Sequence, residues 1–254
     1  MSTKRWLMLQ AVACSAALQV AALELPWEQE TRPAGTKPAP ESVPAESPTL
    51  AKLRAQAEAG DVQAQYSLGE SYYRGQHGLP KDPVLAAYWI RQAAQQDHTI
   101  AQFNLGIMYE QGIGVAQSLT EAATWYRRAA EAGMREAQFN LGNFFRDGKA
   151  VARDPVEAVR WYRRAADKKL AAAQSELGYS YWTGRGVPQN DSEAVTWWRL
   201  AAAQNNANSL FNLGLAHEYG RGVPRDLKQA LDWYRRANAH GKAAAADKIR
   251  KLSN

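Results

Sequence analysis

Residues 101–133 read AQFNLGIMYEQGIGVAQSLTEAATWYRRAAEAG, and their spacing predicts two antiparallel helices joined by a tight turn. Ala101, Leu105, Met108 and Tyr109 recur at helical intervals, and Gly112-Ile113-Gly114-Val115 stops that helix and turns the chain. Ser118 then serves as an N-cap for the orphan amides of a second helix, with Glu121 three residues on as the return half of a capping box. This second helix carries an apolar stripe of Leu119, Ala122, Ala123, Tyr126, Ala129 and Ala130, with Trp125 on its flank, and ends at Gly133.

The same pattern returns along most of the chain. Leu-Gly pairs stand at Leu68-Gly69, Leu105-Gly106, Leu141-Gly142, Leu177-Gly178 and Leu213-Gly214, and tryptophans at Trp89, Trp125, Trp161, Trp197 and Trp233, a period of 36. The first copy carries one extra loop residue near His77. Asp82, Asp154, Asn190 and Asp226 repeat the cap of Ser118, Glu157, Glu193 and Gln229 repeat the box, and Pro83 and Pro155 follow their caps, where a missing N–H is harmless. Gly106 and its equivalents, with alanine pairs such as Ala129-Ala130, remove side chains where helices approach closely, at a helix-propensity cost of about 1 kcal/mol per glycine.

One hairpin alone would leave half its apolar surface wet, so the copies must stack. Leu53–Gly60 matches the tail of a second-type helix. Ala243–Leu252 reads as a last first-type helix, with Asp247, Lys248, Arg250 and Lys251 facing water. The expected fold is all-α: a right-handed α/α superhelical solenoid of about five hairpin repeats with terminal capping helices, about twelve helices and no strand.

The chain has 254 residues, 46% hydrophobic and 22% charged, a globular balance. One cysteine excludes an intramolecular disulfide, and four histidines leave little for metal chemistry. The repeat accounts for 9 Trp and 11 Tyr. Residues 1–22 have the layout of a signal peptide: Lys4 and Arg5, an apolar stretch from Trp6 to Ala22, and Val20 and Ala22 before a cleavage point at Leu23. Cleavage there removes two bases and no acid, taking the formal charge from +6 to +4. Residues 23–49 hold six of the 11 prolines and read as a disordered tether, leaving 50–254 as the repeat domain. The expected destination is export, to the periplasm first, with secretion, retention of the apolar segment as an anchor, and lipidation at Cys14 as alternatives.

The unit Ala-Gln-x-x-Leu-Gly-x-x-Tyr-x-x-Gly-x-Gly-Val, a cap, then Ala-x-x-Trp-Tyr-x-x-Ala-Ala-x-x-Gly closely resembles the SEL-one-like repeat (SLR) family, relatives of the tetratricopeptide repeats, over roughly residues 50–252. Departures stand at Ala150 (for the second loop glycine), His217 (for the helix tyrosine) and Ile90 (for the tyrosine after Trp89). The resemblance implies an adaptor that holds a protein or peptide on its concave face, in envelope regulation, assembly or host interaction. The alternative it implies is a cell-wall-binding or β-lactam-hydrolysing envelope enzyme. The relatives described so carry a cysteine pair in each repeat, and this chain does not.

Other chemistry dissolves into the repeat. Gly184-Arg185-Gly186 and Gly220-Arg221-Gly222 follow helices rather than strands and read as turns, not phosphate loops. His77, His98, His217 and His240 share no i,i+4 spacing. The pairs Arg127-Arg128, Arg163-Arg164 and Arg235-Arg236 read as a solvated outer face rather than a nucleic-acid surface, leaving attraction to an anionic envelope surface open. No catalytic residue, metal, cofactor or nucleic acid is expected.

A row of amides is the candidate site. Asn104, Asn140 and Asn212, interrupted by Glu176, fall at the rim of the first helix's apolar stripe, where a side chain with donor and acceptor suits a peptide backbone. The resemblance to tetratricopeptide clamps, which use Asn on the corresponding helix, implies the same. The other reading is that these amides tie neighbouring helices together. Rows that vary between copies would supply specificity: Ile107, Asn143, Tyr179 and Leu215, and beside them Gln111, Asp147, Thr183 and Tyr219.

Overall fold

A computed structural model describes residues 47–253, which form twelve helices with no strand among the described residues. They are α1 (Pro48–Glu58), α2 (Val62–Arg74), α3 (Pro83–Gln95), α4 (Thr99–Gln111), α5 (Leu119–Glu131), α6 (Arg135–Asp147), α7 (Pro155–Asp167), α8 (Ala171–Thr183), α9 (Asp191–Ala202), α10 (Ala207–Tyr219), α11 (Leu227–Ala239) and α12 (Ala244–Ser253). Five hairpins, α2–α3 to α10–α11, stack in chain order as an α/α solenoid, with α1 and α12 as half-units at the ends. The expected signal peptide, 1–22, and the tether to residue 46 lie outside the described residues. The tether's expected last residues, 47–49, belong to the folded part: Ser47 caps α1 by accepting from the Leu50 amide at 3.2 Å, and Pro48 takes the first helical position.

The caps do double duty. Asp82, Ser118, Asp154, Asn190 and Asp226 each accept amides in the first turn of the second helix. Their own backbone N–H groups donate to the carbonyls of Tyr72, Tyr109, Phe145, Tyr181 and His217 on the first helix, at 2.9–3.0 Å. One residue thereby starts the second helix and closes the hairpin. The seam between hairpins is closed by glutamine: Gln65, Gln102, Gln138 and Gln174, all buried, donate Nε2 to the carbonyls of Ala57, Ala94, Ala130 and Ala166 at 3.0–3.2 Å. Those carbonyls lie in the last turn of a helix, beyond its regular ladder, and each also accepts a turn amide, from Gly60, Asp97, Gly133 and Lys169, at 2.8–3.2 Å.

At the centre of each hairpin, the residue after the periodic tryptophan sits on the Leu-Gly glycine. A Cβ added at Gly106, Gly142, Gly178 or Gly214 would lie 2.5–2.7 Å from the rings of Tyr126, Tyr162, Trp198 and Tyr234. Those four rings are buried, as are Trp89, Trp125 and Trp161, whereas Trp197 and Trp233 are half-buried. The deepest aromatic is therefore the ring after the tryptophan.

The arginine pairs form a solvated face in part: Arg128, Arg164, Arg235 and Arg236 are exposed, while Arg127 and Arg163 are half-buried. Four arginines reach across a seam to the next helix pair: Arg91 to Tyr109, Arg127 over Phe145 at 5.6 Å, Arg163 to Tyr181, and Arg54, which donates to the Tyr72 hydroxyl at 3.4 Å; Arg235 pairs instead with Asp232 of its own helix at 3.6 Å. The second arginine of each pair folds back on its own tryptophan, Arg128 over Trp125 at 4.8 Å, Arg164 over Trp161 at 4.4 Å and Arg236 over Trp233 at 4.5 Å. These last are cation–π contacts, each adding about 0.5–1 kcal/mol at exposed sites, whereas Arg54, Arg91 and Arg163 donate to the hydroxyls of their tyrosines. In α12, Asp247 and Arg250 face water and pair with each other at 2.6 Å, but Lys248 turns inward to Glu218 at 2.9 Å.

Among the described residues five that are not glycine hold left-handed φ angles of 55–61°: His77, Asp97, Ala150, Lys169 and Asn205. Ala150 and Lys169 stand where the second copy has Gly114 (66°) and Gly133 (93°). A Cβ is disfavoured there by roughly 1 kcal/mol. Ala150→Gly and Lys169→Gly are each expected to stabilise the protein by about 0.5–1 kcal/mol, read as a rise in the urea midpoint at unchanged slope; a fall would contradict the strain.

Candidate binding face

The first-type helices α2, α4, α6, α8, α10 and α12 present the rows that the sequence singled out. Asn104 on α4 is wholly buried (0% exposed) and donates Nδ2 to the Tyr66 hydroxyl of the preceding hairpin at 3.2 Å. This corrects its placement at an accessible rim: the preceding hairpin covers it, and it acts as a tie. Asn140 is half-buried and hydrogen bonded to the Tyr126 phenol. Glu176, half-buried, is held by Arg146 at 3.1 Å. Lys248 occupies the next place in this row, one period after Asn212, and is held by Glu218. Asn212 is half-buried, with Trp182 where Arg146 and Glu218 stand in their hairpins.

This row is a set of rungs between hairpins. Tyr126 donates to Glu110 at 2.7 Å, Tyr162 to Asn143 at 2.8 Å, and Tyr234 to Glu218, so buried phenols reach the same surface from below. Burial disfavours ionisation of Tyr162 and Tyr234 and raises both phenols well above their ordinary pKa; a hydrogen bond to Glu218 adds to the rise at Tyr234. Burial works against the Glu218 carboxylate, but hydrogen bonds from Lys248 and Tyr234 hold its pKa below the usual value. The Arg146 hydrogen bond does the same for Asp147.

The specificity rows divide. Ile107 is buried, which removes it as an accessible contact, and Asn143 is half-buried and engaged by Tyr162. Gln111 is exposed. Tyr179 and Tyr219 are the large aromatics open to water on these helices, 43% and 58% exposed. The accessible chemistry is thus two phenol rings, Gln111, and the Asp147 and Thr183 side chains between them in the row, laid over a fixed polar seam. Among the described residues no group of three or more His, Cys, Asp or Glu is placed to hold a metal ion, and no helix is long and apolar enough to cross a membrane.

Helical hairpins of one length, stacked through a shared apolar spine and offering a continuous row of side chains, define an α/α repeat solenoid. The Sel1 repeat profile matches residues 62–98, 99–134, 135–170, 171–206 and 207–242, each match spanning one hairpin and the turn after it. The chain belongs to the Sel1-repeat family, whose members are generally protein–protein interaction scaffolds. It is 34% identical to c5321, a protective antigen of uropathogenic Escherichia coli strains with an SLR fold, at a TM-score of 0.73, covering 78% of this chain and 42% of that one. It is 31% identical to a Sel1 repeat protein from Oxalobacter formigenes, at a TM-score of 0.72, covering 77% of this chain and 80% of that one. The chain therefore spans less than half the length of the first of these.

Proposed function

We propose that this protein is an exported scaffold that holds an extended peptide or protein segment along the face of its first-type helices, in the cell envelope or in contact with a host. The observation that carries this reading is the contrast between seam and surface. Gln65, Gln102, Gln138 and Gln174 repeat one seam contact, while the outer row runs Gln111, Asp147, Thr183, Tyr219, and Tyr179 of the neighbouring row and Tyr219 place exposed aromatic surface at the fourth and fifth hairpins. A purely structural surface has no need of exposed tyrosines, whereas binding surfaces are enriched in them. Export is supported by the layout of residues 1–22, and a host-facing setting by the likeness to a protective antigen.

The test uses an array of immobilised peptides probed with the purified chain lacking residues 1–22. Wild-type protein is expected to bind a subset saturably. Tyr179→Ser with Tyr219→Ser is expected to weaken that binding at least tenfold without changing the melting temperature, while Arg160→Glu, on an exposed stretch of α7, leaves it unchanged. Unaltered affinity in the double tyrosine variant would remove the face assignment.

A further inference from the structure

The row of seam arginines has one exceptional partner. Arg54, Arg91, Arg127 and Arg163 meet Tyr72, Tyr109, Phe145 and Tyr181 of the next hairpin. One period on, Arg199 of α9 and His217 of α10 hold the equivalent places, so a titratable ring stands where the other copies hold an aromatic that keeps its charge state. His217 is 5% exposed. Its Nδ1 is buried and makes no hydrogen bond. The imidazolium carries a proton on both ring nitrogens, so the charged form must place one on Nδ1, where it meets no acceptor and is out of water. The charged groups bearing on the ring are Arg199, which opposes protonation, and Asp226, which favours it. The Asp226 carboxylate is already hydrogen bonded to the amides of Gln229 and Lys228 as the cap of α11. The Asp226 amide in turn donates to the His217 carbonyl at 3.0 Å. The ring thus sits where the seam to the fourth hairpin meets the closure of the fifth.

We propose that the seam between the fourth and fifth hairpins is an acid-sensitive latch, in which protonation of His217 against Arg199 releases α10–α12 from the rest of the array. Burial and Arg199 lower the imidazole pKa in the closed form, so the open form takes up the proton first. Opening is therefore favoured as pH falls below the ordinary histidine value of 6.5, and the effect is complete below the closed-form value. The device is independent of what binds the outer row. Its consequence for a bound segment is direct all the same, because Tyr219 and Asn212 travel with α10.

Hydrogen exchange of the full chain at pH 7.4 and 5.2, corrected for intrinsic rates, reads the latch. Protection in α10–α12 is expected to fall by up to about twentyfold, the ceiling set by one imidazole of ordinary pKa at pH 5.2, with little change in α5–α7. His217→Phe, which installs the residue found at Phe145, should abolish the difference, and His217→Tyr, which copies Tyr181, serves if the first variant folds poorly. His98→Asn is the control for the half-buried histidine of α4's N-cap. His98 caps α4 by accepting the Ala101 amide on Nδ1, and asparagine keeps that acceptor without titrating. An equal loss of protection in all hairpins, persistence of the effect in His217→Phe, or an NMR titration of His217 at or above 6.5 in the native state would each overturn the proposal.

Discussion

Trp198→Ala is expected to lower the unfolding free energy by about 3–5 kcal/mol, the range for deleting a large aromatic from a packed core. Trp198 is among the largest fully buried side chains, stands 5.2 Å from the Trp182 ring, and donates Nε1 to the Ser175 carbonyl at 3.2 Å. Its loss empties the centre of the fourth hairpin, which cannot collapse because the backbones on either side are fixed by the caps and seams. In a linear array stability is the sum of unit and nearest-neighbour terms, so the damage is local first. Urea denaturation followed by far-UV circular dichroism should change from one transition to two, with the fourth and fifth hairpins leaving early. Leu200→Ala, two residues along α9 and 47% exposed, should stay within about 0.5 kcal/mol of wild type. A loss below about 1 kcal/mol for Trp198→Ala would contradict the central place given to this ring.

Gly178→Ala tests the same contact from the other side, and its sign should depend on Trp198. In the wild-type background the new methyl would lie 2.5 Å from the indole and 3.1 Å from the Ala194 carbonyl. Overpacking of this kind destabilises by about 1–3 kcal/mol, even after the helix-propensity gain of about 1 kcal/mol. In the Trp198→Ala background the indole is gone, and the remaining approach needs a shift of only a few tenths of an ångström. There the substitution should stabilise by roughly 0.5–1 kcal/mol. The double-mutant cycle built from the four urea midpoints should thus show a coupling of about 2–4 kcal/mol. The same sign in both backgrounds would show that the glycine is there for some reason other than the ring.

The hairpin, its caps and its stacking are all legible in the sequence, because each is local to 36 residues or repeats with that period. What a single hairpin cannot show is its neighbour. Asn104 sits at the edge of its own helix's stripe, yet Tyr66 from the hairpin before it closes that edge. Arg127 belongs to the polar side of α5 and is claimed by Phe145 of α6. The seam glutamines carried a readable signal, a polar residue recurring beside a buried alanine at Gln102, Gln138 and Gln174, but the partner carbonyl lies eight residues back, in the helix before. His217 reads in the sequence only as a departure from the repeat's tyrosine, because its burial is set by neighbours outside its own helix. Tyr219 belonged to a row whose variability the sequence displays, but only the fold shows that it stands open to water.

The rungs also bear on how five near-copies avoid assembling in the wrong order. Arg146 with Glu176 and Glu218 with Lys248 have opposite polarity, and the equivalent places hold Glu110 with Asn140 and Trp182 with Asn212. A chain that slipped by one unit during folding, laying the second hairpin against the fourth, would bring Glu110 up to Glu176 and strand Arg146. Like charges placed across a packed joint oppose such mispairing. Tandem repeats are prone to this kind of error. Each joint therefore works as a lock cut for one key, and the copies, interchangeable in outline, are not interchangeable in sequence.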